Sequence, residues 1–265
     1  MSGESATPDG TGAGLRLPED HPVAVAMIEA IHTGDLESLR RLLSENPGLA
    51  GARLVNRDGG SRTPLHIAAD WPGFFPGGPA VVAVLIEAGA DPDVGLEGGR
   101  WPETPLHWAA SSDDVEVARA LLDGGARTEV AGASIGDGTA LDNAVGYGCW
   151  RVAYLLVERG ARVTRLGQAA ALGMLPRVEE MLAAVPAPAP EDINDAFWQA
   201  CSGGHRRVAE YLFARGADVN AVPDWAERTP LDAAGGGPEG PGLDTGREAL
   251  VTWLLHENGA RSARV

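Results

Sequence analysis

Few residues of this chain stand in the patterns that chemistry uses. The segment GASIG at 132–136 satisfies G-x-S-x-G, in which a strained strand-to-helix turn lifts a serine towards a general base. Ser134 lacks the parallel sheet that such an elbow needs, so hydrolysis is not expected there. GTGAGL at 10–15 is a dinucleotide-like glycine run with neither the preceding strand nor the following helix. His256-Glu257 has no second histidine four residues on, and no Cys/His spacing suits zinc. No metal, nucleotide or other cofactor is expected. The two cysteines, Cys149 and Cys201, sit inside helical patterns and read as small core hydrophobes in a reducing compartment.

One row of residues survives. His32 in AIHTG, Asp70 in IAADW and Ser111 in WAASS fall at equivalent points near the ends of three successive helical stripes. Trp71 and Tyr147 lie on the same row. Helices pack roughly 8 to 10 Å apart, so a histidine and a carboxylate on adjacent rungs could move a proton on a substrate held by the aromatics. That would be isomerase, cyclase or lyase chemistry. The same separation suits solvated side chains that never meet, and the choice depends on the elements beneath them.

Those elements repeat. TPLHIAA starts at Thr63, TPLHWAA at Thr104, TALDNAV at Thr139, DAFWQAC at Asp195 and TPLDAAG at Thr229. Each is followed by a second apolar stripe closing on Gly-Ala, as in VVAVLIEAGAD and VEVARALLDGGA. Threonine before proline is a helix N-cap followed by the one helical position where the missing N–H is not needed. Ala68, Ala69, Ala109 and Ala110 let neighbouring helices approach, and glycines at 89, 125, 160, 216 and 259 suit left-handed C-terminal turns. Val25–Leu43 and Gly167–Ala184 carry the same helix pair without the Thr-Pro-Leu-His head. The period predicts an all-α array of about seven helix-turn-helix units, stacked because none can bury its apolar face alone.

These residues resemble the ankyrin repeat, and the chain is similar to stand-alone bacterial ankyrin-repeat proteins. The resemblance covers about residues 21 to 262. It implies an ankyrin-repeat solenoid with β-hairpin fingers, some units degenerate or with enlarged loops, occupying 21–265 behind a disordered tail at 1–20. It also implies that His66 and His107 bond backbone to tie turns together, a pattern weakened where Asp142, Trp198 and Asp232 replace the histidine. Binding is expected on a concave face made by the fingers and inner helices. Carried over position by position, that face presents Trp71, Arg100, Trp101, Glu103, Tyr147, Trp225 and Arg228.

The array departs from its period in WPGFFPGGP at 71–79, which puts about five extra residues between two helices of one unit. Phe74 and Phe75 in it either plug the ends of their own helices or hang over the face as a lid. A longer insertion follows the last motif, and a finger is missing between Gly160 and Ala169. VPAPAPED near 185–192 reads as an extended linker.

The formal charge is −16, and all 21 basic residues are arginine. A lysine-free, Ala/Gly/Arg-rich composition is what a GC-rich bacterial genome encodes. So much acid repels phosphate backbones and excludes nucleic acid as the expected partner, while basic proteins fit. No window reaches the apolar length of a membrane span, and a cytoplasmic location is expected. The leading reading is a protein-binding module whose groove takes a partner, possibly a basic one. The alternative is a small-molecule site, for a small apolar ligand or an acid–base reaction, with His32, Asp70, Ser111 and Tyr147 under the 71–79 loop.

Overall fold

Every Thr-Pro head starts a helix. The computed structural model describes residues 14–235 and 245–263, in two units that meet at Ala161 and Arg162. In the first unit the pairs are α1 (Pro22–Thr33) with α2 (Leu36–Glu45), α3 (Pro64–Ala68) with α4 (Gly78–Glu87), α5 (Pro105–Ser111) with α6 (Val115–Asp123), and α7 (Ala140–Tyr147) with α8 (Trp150–Glu158). Odd-numbered helices pack on one another as an inner row, and even-numbered ones as an outer row. In the second unit the pairs are α9 (Leu166–Ala171) with α10 (Leu175–Leu182), α11 (Pro190–Gly203) with α12 (Arg206–Phe213), and α13 (Pro230–Ala234) with α14 (Thr245–Thr252). The last helix runs on into a π turn at Trp253–Glu257. Seven pairs are thus described, as the period predicts.

The core is what the repeat dictates. Leu65, Leu106 and Leu141 of successive inner helices are almost wholly buried, and so are Ala68, Ala69, Ala109 and Ala110. Each such leucine contributes about 2 kcal/mol of burial, and the alanines keep the inner row close. Gly89, Gly125, Gly160, Gly216 and Gly259 all take positive φ at helix ends.

Three features differ from the expectation. Residues 1–13 lie outside the description, but Arg16–Pro18 (β1) is a strand and not part of a disordered tail. It pairs in parallel with Arg53–Val55 (β2), which pairs antiparallel with Ser61–Arg62 (β3). Arg16 reaches across to Glu97 at 2.7 Å, so the strand is fixed by charge as well as by backbone bonds. Among the described residues only this first finger is a hairpin of strands. The finger at 132–138 closes as a turn, because Gly132 and Ala133 both donate to the one carbonyl of Gly138. Finally, α11 begins at Pro190, five residues before its repeat motif, so part of the proline-rich linker is helical. Pro190 takes the first turn, and Asp192 accepts the Ala189 N–H at 3.0 Å. The insertion after α13 falls mostly outside the described residues.

The heads of the inner helices tie one repeat to the next. Thr63 N–H donates to His66 Nδ1 at 3.2 Å, so the ring proton is on Nε2, which donates to the Glu103 carbonyl at 2.9 Å. His107 accepts the Thr104 N–H in the same way. Its Nε2 is buried and makes no well-formed hydrogen bond among the described residues, although the backbone of Gly138 and Val130 stands close enough to pull its pKa up against burial. In the second unit Trp198, which replaces the histidine, restores the tie: its Nε1 donates to the Arg228 carbonyl at 2.7 Å. The pattern is therefore kept there, since an indole N–H can do what an imidazole N–H does.

Burial holds His66 neutral, moving its pKa from 6.5 down to about 3 against the upward pull of its bond to the Glu103 backbone. Burial likewise lowers His32, His107 and His205. A depressed folded-state pKa gives stability that is complete above the unfolded value of 6.5 and is lost as pH falls below it. From pH 6.5 to 5, His66 alone should cost about 2 kcal/mol. Urea melts between pH 7.5 and 5 should show this loss, and His66→Gln, which keeps an acceptor for Thr63, should flatten the profile while lowering stability at pH 7.5.

Candidate functional site

Nine residues, Ala69 to Gly77, separate α3 from α4, against three between α5 and α6. The extra chain is bolted down on both sides. Pro76 lies against Gly34 at the α1–α2 turn, where a Cβ would collide with the Pro76 carbonyl oxygen. On the other side Gly73 packs on Ser112, and Phe74 N–H donates to Asp114 Oδ2 at 2.6 Å. Asp114 also caps α6, accepting the Val117 N–H through its other oxygen. Phe75 stacks on His32, with ring centroids 4.3 Å apart and planes 18° apart. The two phenylalanines part company here: Phe75 is half-buried, whereas Phe74 is 57% exposed and Trp71 is 79% exposed. Phe74 also holds a left-handed backbone, φ 58°, which costs a side-chain-bearing residue about 1 kcal/mol.

His32 and Asp70 share this neighbourhood without sharing a hydrogen bond. Asp70 Oδ2 accepts from Arg62 Nη1 at 2.6 Å, and Oδ1 accepts the Trp71 N–H at 2.8 Å. Arg62 in turn donates to Glu19 at 2.8 Å. The His32 Nε2 is buried without a hydrogen-bond partner among the described residues. Burial lowers the pKa of His32, Asp70 pulls it back up, and Arg62 pushes it down again. The imidazole is therefore a neutral support for Phe75.

Ser111 and Tyr147 belong to a second network, built round Asn143 on α7. Asn143 is wholly buried, and its Nδ2 donates to Glu103 Oε1 at 2.7 Å and to Ser111 Oγ at 3.1 Å. Its Oδ1 accepts from Ser134 Oγ and from the Ile135 N–H, both at 3.2 Å. Ser134 N–H donates to Glu103 Oε1 at 2.9 Å, and Ser134 Oγ meets the Tyr147 hydroxyl at 3.2 Å. Ser134 thus holds a finger to a helix, with no histidine among its hydrogen-bond partners. Glu103, Ser111 and Tyr147 are brought together, and the four residues of the acid–base row fall into two networks.

The remaining expected contacts lean on their own loops. Trp101 is half-buried, with Arg100 over its ring at 4.8 Å. In the second unit Trp225 is 52% exposed, stands edge-on to Trp198 at 4.9 Å and donates to Asp195 at 3.2 Å. Arg228 is half-buried beside it. Burial raises the Cys149 thiol to about 11 and pushes Cys201 up further, so both stay protonated. Among the described residues no three His, Cys, Asp or Glu side chains are grouped as metal ligands. Sequence reasoning missed Asn143 and Asp114. Asn143 had a signal, because its position carries Ile67 and Trp108 in the two preceding repeats.

A family model for ankyrin repeats, in three copies, matches residues 74–165. An ankyrin repeat and KH domain-containing protein of Caenorhabditis briggsae is 31% identical over 214 residues, which is 78% of this chain but 8% of that protein. No described helix is long and apolar enough to cross a membrane. With the seven helix pairs, the left-handed closing glycines and the ring-to-carbonyl ties, these matches make the chain an ankyrin-repeat protein.

Proposed function

We propose that this chain is a protein-binding module that docks a partner on the exposed face of its inner helices and fingers in the first unit, with Trp71 and Phe74 as anchors. Ankyrin repeats generally serve protein–protein interaction, which supports the class. The observation that carries the assignment is the display of Trp71 and Phe74 on a loop otherwise tied to both neighbouring repeats. A loop needed only to plug the array would turn both aromatics inward, and large exposed aromatics on a rigid support are the usual anchors of interfaces. Tyr147, exposed two rungs along, and Glu103 extend the surface. The two cysteines are unpaired and buried, which is compatible with a reducing, cytoplasmic setting. The acid–base alternative is not carried forward, because Arg62 holds Asp70 and Phe75 covers His32.

Anchors and plug should separate on substitution. Trp71→Ala with Phe74→Ala should change stability by no more than about 0.5 kcal/mol, as exposed sites do. Phe75→Ala should cost about 1–2 kcal/mol through the lost stack and burial. Proteins captured by the full chain from its host lysate and identified by mass spectrometry should disappear in the Trp71/Phe74 double variant. Unchanged capture with unchanged melting would remove this face from consideration.

A further inference from the structure

Resting on that docking face, we propose that the partner segment is extended and seats a basic side chain on Glu103 beside Tyr147, about six residues from an apolar side chain on Trp71 and Phe74. Ion pairing separates Glu103 from the carboxylates around it. Asp70 and Glu19 are both paired with Arg62, and Glu97 is paired with Arg16 and Arg53. Asp114 is spent on the N–H groups of Phe74 and Val117.

Glu103 is instead fixed by two neutral donors, Asn143 Nδ2 and the Ser134 N–H, both on Oε1. No arginine stands within ion-pair distance of it among the described residues, so its charge is oriented but not neutralised, and its Oε2 is left without a hydrogen bond. The Tyr147 hydroxyl, meeting only Ser134 Oγ among the described residues, offers a second acceptor on an exposed ring. An oriented carboxylate next to a hydroxyl and an aromatic face is the environment that guanidinium and ammonium groups take up.

The spacing follows from the rungs. Trp71 lies just past the end of α3 and Tyr147 ends α7 two steps along, or roughly 20 Å away at about 10 Å per step. An extended chain covers that distance in about six residues. The chain's −16 charge draws a basic segment in.

The test uses the full chain and a displayed library of random 12-residue peptides. Selected peptides should carry Arg or Lys about six positions from an aromatic or branched apolar residue. Replacing that arginine by citrulline should weaken binding about tenfold, as the loss of a charge-assisted hydrogen bond does. Glu103→Gln keeps an acceptor for Asn143 and Ser134 but removes the charge. It should give the same loss, and the two losses should not add. Trp71→Ala should weaken all selected peptides and keep the citrulline effect. Peptides that bind through Trp71 but show no basic preference, or no loss with citrulline on the unsubstituted chain, would overturn the Glu103 seat and leave the docking face standing. No selected peptides, or peptides indifferent to Trp71→Ala, would overturn the docking face and the seat together.

Discussion

The hydrogen bond from His66 Nε2 to the Glu103 carbonyl is the constraint on which the first unit turns. A repeat array has no long-range contacts to fix its register, so each unit is positioned by its immediate neighbours. The imidazole can serve only while neutral: Nδ1 must accept the Thr63 N–H at the same time as Nε2 donates forward. Burial enforces that state. The bond holds the backbone of the very residue whose carboxylate is aimed by Asn143 and Ser134, so the geometry of the Glu103 surface depends on the head of the preceding helix. Within the second unit the bond from Trp198 to the Arg228 carbonyl plays the same part with a ring that does not titrate in the physiological range.

Upon this scaffold the 71–79 loop divides its labour. Its inward groups are satisfied one by one: Phe75 by His32, the Phe74 N–H by Asp114, and Pro76 by the bare Cα of Gly34. Its outward groups, Trp71 and the Phe74 ring, gain little from the fold and cost it some backbone strain. Rigid presentation of apolar surface is favourable for binding, because the side chains surrender less freedom when a partner arrives. Asp114 is the hinge of this arrangement, since one carboxylate both starts α6 and fixes the loop.

Much of this was legible in the residues and some was not. The Thr-Pro heads, paired alanines and closing glycines specify local backbone states, and local states are what sequence encodes most directly. Trp198 breaks the pattern by residue type but keeps it by hydrogen-bonding capacity, and the second is what the tie requires. Phe74 and Phe75 are chemically identical neighbours, and only the sign of one φ angle and the position of His32 decide which is buried. The β1 strand depends on pairing with residues nearly forty positions away, and its three residues carry no pattern of their own. Asn143 was readable as a polar break in a buried stripe, but its partners Glu103 and Ser134 lie on two different fingers.

The row of His32, Asp70, Ser111 and Tyr147 shows why equivalent repeat positions are weak evidence for a reaction centre. Equivalence fixes where a Cα sits and leaves the side chain to its local electrostatics. At Asp70 the nearest strong donor is Arg62, and the carboxylate is held by it in a 2.6 Å bond. At His32 a stacked ring covers the imidazole. At Ser111 the hydroxyl donates to the His107 carbonyl one turn back and accepts from Asn143. Asp70 and Ser111 are satisfied within their own rung or by the next one, and His32 is shielded by Phe75 with its Nε2 left without a hydrogen bond among the described residues. What the fold leaves on this face is the carboxylate of Glu103, with no ion pair among the described residues, and the exposed apolar surface of Trp71 and Phe74.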